Sequence, residues 1–206
     1  MCSPHCQIID VIRPDIPGGS VWLEIFSVRH LNESYLRIKM VNILVLDKSV
    51  KLCAQYHCDQ RVSKITLEGV QILCTALNKK DEETSYHSTH TKHPCLLSAE
   101  ASFDNFCWLK TLIVELNAEY RWRYEKDDDH DHATMIVLKA IDHRRFETNG
   151  LMPFAQAMPN EYKNANDSVL AYRSFYLNEK SSFATWKKRE APHWWVTTQK
   201  DKNGRT

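Results

Sequence analysis

Asp59, Arg61, Lys64 and Glu68 set two carboxylates and two cations along one stretch of helical pattern. Lys64 and Glu68 are four residues apart and share a helix face, with Arg61 one turn before Lys64. A carboxylate beside cations accepts a proton or stabilises a developing positive charge. The plain alternative is a solvated ion pair of little energetic consequence.

A second constellation is His87-Ser-Thr-His90-Thr-Lys-His93-Pro-Cys95. Its residue types are those of a zinc site, but the spacing matches no standard finger. A second ligand pair would have to come from Cys53, His57 and Cys58, or from Cys2, His5 and Cys6. The favoured reading is a loop whose His93 contacts a ligand or the backbone, with no metal and no cofactor. A third group joins Glu119, Tyr120 and Arg123 at the end of one helix to Tyr172, Arg173, Tyr176 and Lys180 along another. Arginine and tyrosine in such a stripe suit phosphate gripping and base stacking. They also suit amphipathic packing, with tyrosine rings buried and only their tips wet. Trp186-Lys-Lys-Arg189 and Trp194-Trp195 interleave basic and aromatic residues in a manner that holds nucleic acid or anchors a chain end.

These residues need elements to position them. Met40-Val-Asn-Ile-Leu-Val-Leu-Asp47 reads as a short buried strand that opens a compact domain. The apolar spacing predicts helices over Ser49–Leu77, Asp104–Tyr124, Ala133–His143 and Asp167–Arg189. Asn78–His93 is a polar loop and Gly150–Asn166, with Pro153 and Pro159, an irregular connection. Ala191–Trp195 closes the domain, and a polar tail follows. Pro4, Pro14, Pro17 and Gly18-Gly19 break up the first twenty residues. The expected organisation is an extension over 1–39, a helical domain over 40–196 and a tail over 197–206, with Met40 a candidate functional start.

The fold class is therefore mainly α, a compact helical bundle with a short strand-like N-terminal segment and a loosely attached extension. Only five glycines among 206 residues disfavour a turn-rich β architecture. An apolar fraction of 43% suffices for a core. A net charge of +1 gives no global field for DNA, so any nucleic-acid site is a local patch. Seven cysteines without a framing pattern, and no long apolar run, point to reduced thiols in a cytoplasm and to no membrane span. Walker, dinucleotide-binding, nucleophile-elbow, HExxH and CxxC motifs are absent, which disfavours kinase, dehydrogenase and thioredoxin chemistry.

Several segments together resemble an uncharacterised family of helical phage and bacterial proteins. They are Ala54–Glu68, Thr91–Cys95, Asn105–Leu109 with Glu119-Tyr120, Pro153–Met158-Pro159, and Ala171–Arg173 through Trp186. The likeness covers about residues 40–195, and its members open on a motif like Met40–Asp47. The order of a short N-terminal segment, three main helices and a basic-aromatic end is also distantly similar to the pyrimidine-dimer DNA glycosylases of T-even phages. That likeness implies attack by an N-terminal α-amine on a sugar carbon, assisted by a helix glutamate. The amine would be that of Val41 after initiation at Met40 and loss of methionine, and the glutamate Glu68. An α-amine with a pKa near 7.7–8.0 keeps a usable neutral fraction.

The leading expectation is thus a DNA-acting enzyme, a base-excision glycosylase with or without lyase activity. Glu68, Lys64 and Val41 would be catalytic. Asp59, Arg61, His93, Arg123, Tyr172, Arg173 and Lys180 would bind the DNA. Glu68, Lys64, His93, Arg123 and Arg173 should then surround one cleft. The alternatives are a non-enzymatic nucleic-acid-binding or host-interaction protein, and a metal-dependent hydrolase built on the His87–Cys95 loop.

Overall fold

A computed structural model describes residues 42–127, 129–141 and 146–203, and the side chains within them up to Thr198. The 1–39 extension, the Met40 start and Val41 lie outside the described residues. Among the described residues there are seven α-helices and one 3-10 turn, and no strand. In chain order these are α1 (Val50–Tyr56), α2 (Asp59–Asn78), α3 (Pro94–Glu100), α4 (Phe103–Arg123), α5 (Met135–Ala140), the 3-10 turn Asn160–Tyr162, α6 (Ser168–Glu179) and α7 (His193–Asn203).

The expected buried strand is an extended segment threaded through the helices without a strand partner among the described residues. Ile43, Leu44, Val45 and Leu46 are each at most 5% exposed. At Leu44 and Leu46 the backbone groups meet side chains. Arg173 donates to the Leu46 carbonyl at 2.9 Å, and the Cys53 thiol reaches the Leu44 carbonyl at 3.5 Å. A buried backbone without such partners would be destabilised.

The long α2 and α4 cross as the central pair. Gly69 permits the approach, because a Cβ there would lie 2.8 Å from Cγ1 of Ile113. Caps define the helix starts. Ser102 accepts from the Asn105 amide at 3.1 Å, and Asp167 accepts from Val169 and Leu170.

Two expected helix boundaries are corrected. The single helix over Ser49–Leu77 is broken at His57-Cys58, both extended, so the chain turns between α1 and α2. The apolar periodicity runs through the break and conceals it. The loose carbonyls at the end of α1 are filled from afar. Arg123 donates to Gln55 at 2.9 Å and to His57 at 2.8 Å, and the Trp186 indole donates to Tyr56 at 3.0 Å. The last long helix ends at Glu179, well before Arg189. Beyond it the chain folds back, and the Thr185 carbonyl accepts from the Asp59 amide at 2.9 Å. Pro94–Glu100, where the apolar spacing predicts no element, is helical with His93 as its cap and Pro94 in its first turn.

Arg123 is fully buried and joins these pieces. It pairs with Glu119 at 3.0 Å and Asp59 at 3.1 Å. Glu119 also receives both ends of the Arg189 guanidinium, so two arginines face two carboxylates. Asp59 further accepts from the Thr185 hydroxyl and the Lys187 amide, each at 2.9 Å. Trp194 and Trp195 pack against Tyr56, Tyr176 and Trp186, which seats α7 on the same corner. Removing Arg123 leaves Asp59 without its cation and Glu119 with Arg189 alone, and breaking a buried pair from one side costs about 3–5 kcal/mol. Arg123→Met is therefore expected to lower the urea unfolding free energy by about that amount. A loss of only about 1 kcal/mol, the level of an exposed pair, would show that the network does not hold the fold.

Candidate functional site

Four of the expected site residues gather where the first turns of α2 meet the end of α6. Arg61, Lys64 and Glu68 lie along one face of α2, with Lys64 Nζ 3.5 Å from Glu68. Lys180 follows the last turn of α6, and Arg61 and Lys64 act on it electrostatically. Lys180 is only 4% exposed.

Glu68 is the one carboxylate among these four residues. It is 7% exposed, and its Oε2 is buried without a hydrogen-bond partner among the described residues. Burial raises its carboxyl above the ordinary 4.5, against the pull of Lys64, Arg61 and the backbone amide of Asn42. Asn42 in turn is held firmly. Its side-chain amide donates to Ala157 at 2.6 Å, and its Oδ1 accepts from the Cys95 thiol at 3.7 Å and lies 3.4 Å from the Tyr172 hydroxyl. Burial pushes that thiol up to about 11, and the negative charge of Glu68 acts in the same direction. Asn42 thus joins the opening segment, α3 and α6 beside the buried Glu68 carboxyl group.

Lys180 is shifted the opposite way. Burial, then the charges of Arg61 and Lys64, lower its amine to about 8. The ammonium lies 5.0 Å from the Phe175 ring. Its neighbour Glu179 accepts from the Tyr162 hydroxyl at 2.8 Å.

The other expected site residues serve the scaffold. Arg123 and Tyr172 are each 0% exposed, so neither touches a DNA substrate directly, and that expectation is corrected. The Tyr172 hydroxyl donates to the Ala155 carbonyl at 2.6 Å. The arginine's charge and the tyrosine's hydroxyl are consumed in the interior, which a stripe of polar tips on a helix does not reveal. Asp59 is taken up by Arg123 and the returning chain. Arg173 pairs with Asp47 at 2.8 Å and lies over Tyr56 and Trp194. Its outer side lines a shallow groove with Leu170, Leu177 and Trp194. The expected cleft around Glu68, Lys64, His93, Arg123 and Arg173 is thus divided, with Arg123 and Arg173 committed elsewhere.

His93 caps α3 by accepting from the Cys95 amide at 3.2 Å, while its Nε2 is buried and unpartnered. Its ring is held below the usual histidine range by burial, then by His90. His87 and His90 are exposed, and the described residues of this loop do not bring three ligand atoms together. Asp127, Asp129 and His130 do approach one another, on an exposed turn. No helix among the described residues is long and apolar enough to cross a membrane. Asn42 escaped notice in the sequence, although it is the one polar residue inside the apolar run that opens the domain. No protein family, no curated protein and no solved structure matches this chain.

The raised carboxyl has a consequence for stability. A group that binds its proton more tightly when folded contributes stability that is full below its unfolded value, near 4.5. That contribution is lost as pH rises through the folded value. Glu68→Gln is isosteric and stays neutral, so at pH 7 it is expected to melt about 2–4 °C above the native chain. The difference should vanish as the pH falls toward about 4. A variant that melts below the native chain at pH 7 would mean that Glu68 stabilises the fold as a paired anion.

Proposed function

We propose that this chain is a DNA-acting enzyme of the base-excision type, a glycosylase in which Glu68 is the catalytic carboxylate. The observation that carries the reading is the Glu68 carboxyl group, withdrawn from water, with one oxygen unpartnered, beside cations on the same face. An oxygen kept free beside Lys64 suits a group that must exchange a proton or face a developing positive charge.

In this reading an amine attacks the sugar C1′, and the glycosidic electron pair leaves with the base. Glu68 takes the surplus proton from the amine and faces the positive charge that grows on the sugar. Its raised proton affinity makes it a better base than an ordinary glutamate. The α-amine of Val41, in a chain begun at Met40, would immediately precede Asn42, whose amide acts on Glu68. Arg61, Lys64 and Lys180 supply positive charge for flanking phosphates.

The experiment is base release from duplexes carrying a single pyrimidine dimer or an abasic site, with borohydride present to trap an iminium. The full chain and a chain beginning at Met40 are assayed in parallel. Glu68→Gln is expected to slow release by about 10²–10⁴-fold while leaving DNA binding in place. Equal rates for the native and Glu68→Gln chains would remove Glu68 from the chemistry. Absence of release and trapping on both substrates would remove the glycosylase reading.

A further inference from the structure

Three sides of α4 are covered. On the first, Gly69 of α2 lies against Ile113. On the second, Arg123 donates to the Gln55 carbonyl of α1, and the Trp108 indole to the Lys48 carbonyl just before it. On the opposite flank, Lys110 donates to the Ile141 carbonyl after α5, and Asn117 to Asp131 before it. The outward side between these flanks is open. At about 3.6 residues per turn it carries Cys107, Thr111, Val114, Ala118 and Trp122. This side is apolar although it faces water. Val114 is 46% and Trp122 45% exposed. The Thr111 hydroxyl donates to the Cys107 carbonyl at 2.8 Å, so its polar atom is satisfied within the helix. The Trp122 ring is held in place, with the Arg189 guanidinium 4.4 Å from its centroid and that guanidinium fixed by Glu119. A fixed aromatic surface left in water has the character of a contact anchor. A helix apolar on every side belongs in an interior, and here one side is uncovered.

The spacing of this side selects its occupant. The steps from Cys107 to Thr111, Val114 and Ala118 are those of a coiled-coil seam, with Thr111 and Ala118 at a and Cys107 and Val114 at d. Lys110 then falls at g and Glu115 at e. In a parallel, in-register pair a g residue meets the next e residue of the other helix, so Lys110 meets Glu115 of a second copy, twice by symmetry. Glu115 has no ion-pair partner of its own among the described residues. An antiparallel pair sets e against e and g against g, and joins no opposite charges along this seam. The parallel arrangement also lays the α5 flank against the α1 flank of the second copy, and Ile136 on α5 and Leu52 on α1 are both exposed. Arg121, at the next d position, is drawn aside by Asp131 at 3.7 Å.

We infer that two copies of this chain pair through α4, parallel and in register, about a two-fold axis that runs along the helix. Each copy offers the same seam. Ala118 lets the two backbones approach closely, and Trp122 flanks the end of the contact. The pairing is independent of the glycosylase reading.

The test is analytical ultracentrifugation of the full chain over a range of concentrations, with a cross-linking arm for the register. The native chain should pass from monomer to dimer as its concentration rises. Ala118→Arg puts a charge into the seam at an exposed position. It should keep the native circular dichroism and weaken dimerisation about 30-fold or more. Glu115→Lys would face Lys110 of the second copy and should weaken it about tenfold at low salt, and less at high salt. For the register, Cys2→Ser and Cys6→Ser leave Cys107 as the accessible thiol, because Cys53, Cys58, Cys74 and Cys95 are buried. With copper–phenanthroline in air, each Cys107 thiol gives up a proton and an electron to the oxidant, and the two sulfurs join across the seam. A linked dimer that Cys107→Ser abolishes is the expected result. A chain that stays monomeric, or a dimer indifferent to Ala118→Arg, would overturn the proposal. So would a dimer lost in Ala118→Arg but never linked through Cys107, because antiparallel pairing holds the two Cys107 residues apart.

Discussion

The buried Arg123 guanidinium is the interaction on which the remaining geometry depends. It comes from the last turn of α4, yet its partners are Asp59, Glu119 and the carbonyls of Gln55 and His57. These partners close the break between α1 and α2. Without them the end of α1 would leave carbonyls unsatisfied in an apolar interior, an arrangement that folded proteins avoid. The planar fork suits the task, because its donors point in fixed directions toward two carboxylates and two carbonyls. Glu119 then recruits Arg189, and Asp59 recruits Thr185 and Lys187, so the C-terminal stretch is pinned to the same corner.

The same corner sets the candidate site. Asp59 begins α2 inside the lock, and Arg61, Lys64 and Glu68 follow on the next turns of that helix. On α6 the Tyr176 hydroxyl accepts from the Cys58 amide at 2.8 Å, and Lys180 lies one turn further on. The angle between α2 and α6, and hence the approach of Lys180 to Arg61, is fixed by contacts that take no part in the chemistry. Asn42 does the equivalent for the opening segment, with its side chain pinned by Ala157, Tyr172 and Cys95 while its amide acts on Glu68. Rigid support of a poorly compensated cluster is what a pre-organised site requires.

Much of the helical fold was legible in the sequence, and its departures have particular causes. Phe106, Leu109, Leu112, Ile113 and Leu116 repeat at helical spacing, and α4 lies where they indicate. The break at His57-Cys58 was hidden, since it is set by tertiary donors such as Arg123 and Trp186 while the apolar pattern continues. α6 ends earlier than the pattern predicts for a related reason: Trp186 and Arg189 extend an amphipathic pattern, but their partners lie on α1 and α4. The grouping of Arg61, Lys64 and Glu68 followed from spacing alone. Which arginines and tyrosines point inward did not, because a helix face carries no record of what covers it. Arg123 and Tyr172 resembled binding residues until the carboxylates and carbonyls around them were in place.

Everything assigned to Glu68 rests on one claim, that its carboxyl group is held above the ordinary glutamate value by burial without full compensation. Carbon-13 NMR of the glutamate carboxyls, with the resonance assigned through Glu68→Gln, measures this directly. The account predicts a midpoint clearly above 4.5 in the free chain. A midpoint at or below that value would show Glu68 to be an ordinary paired anion and would contradict the account.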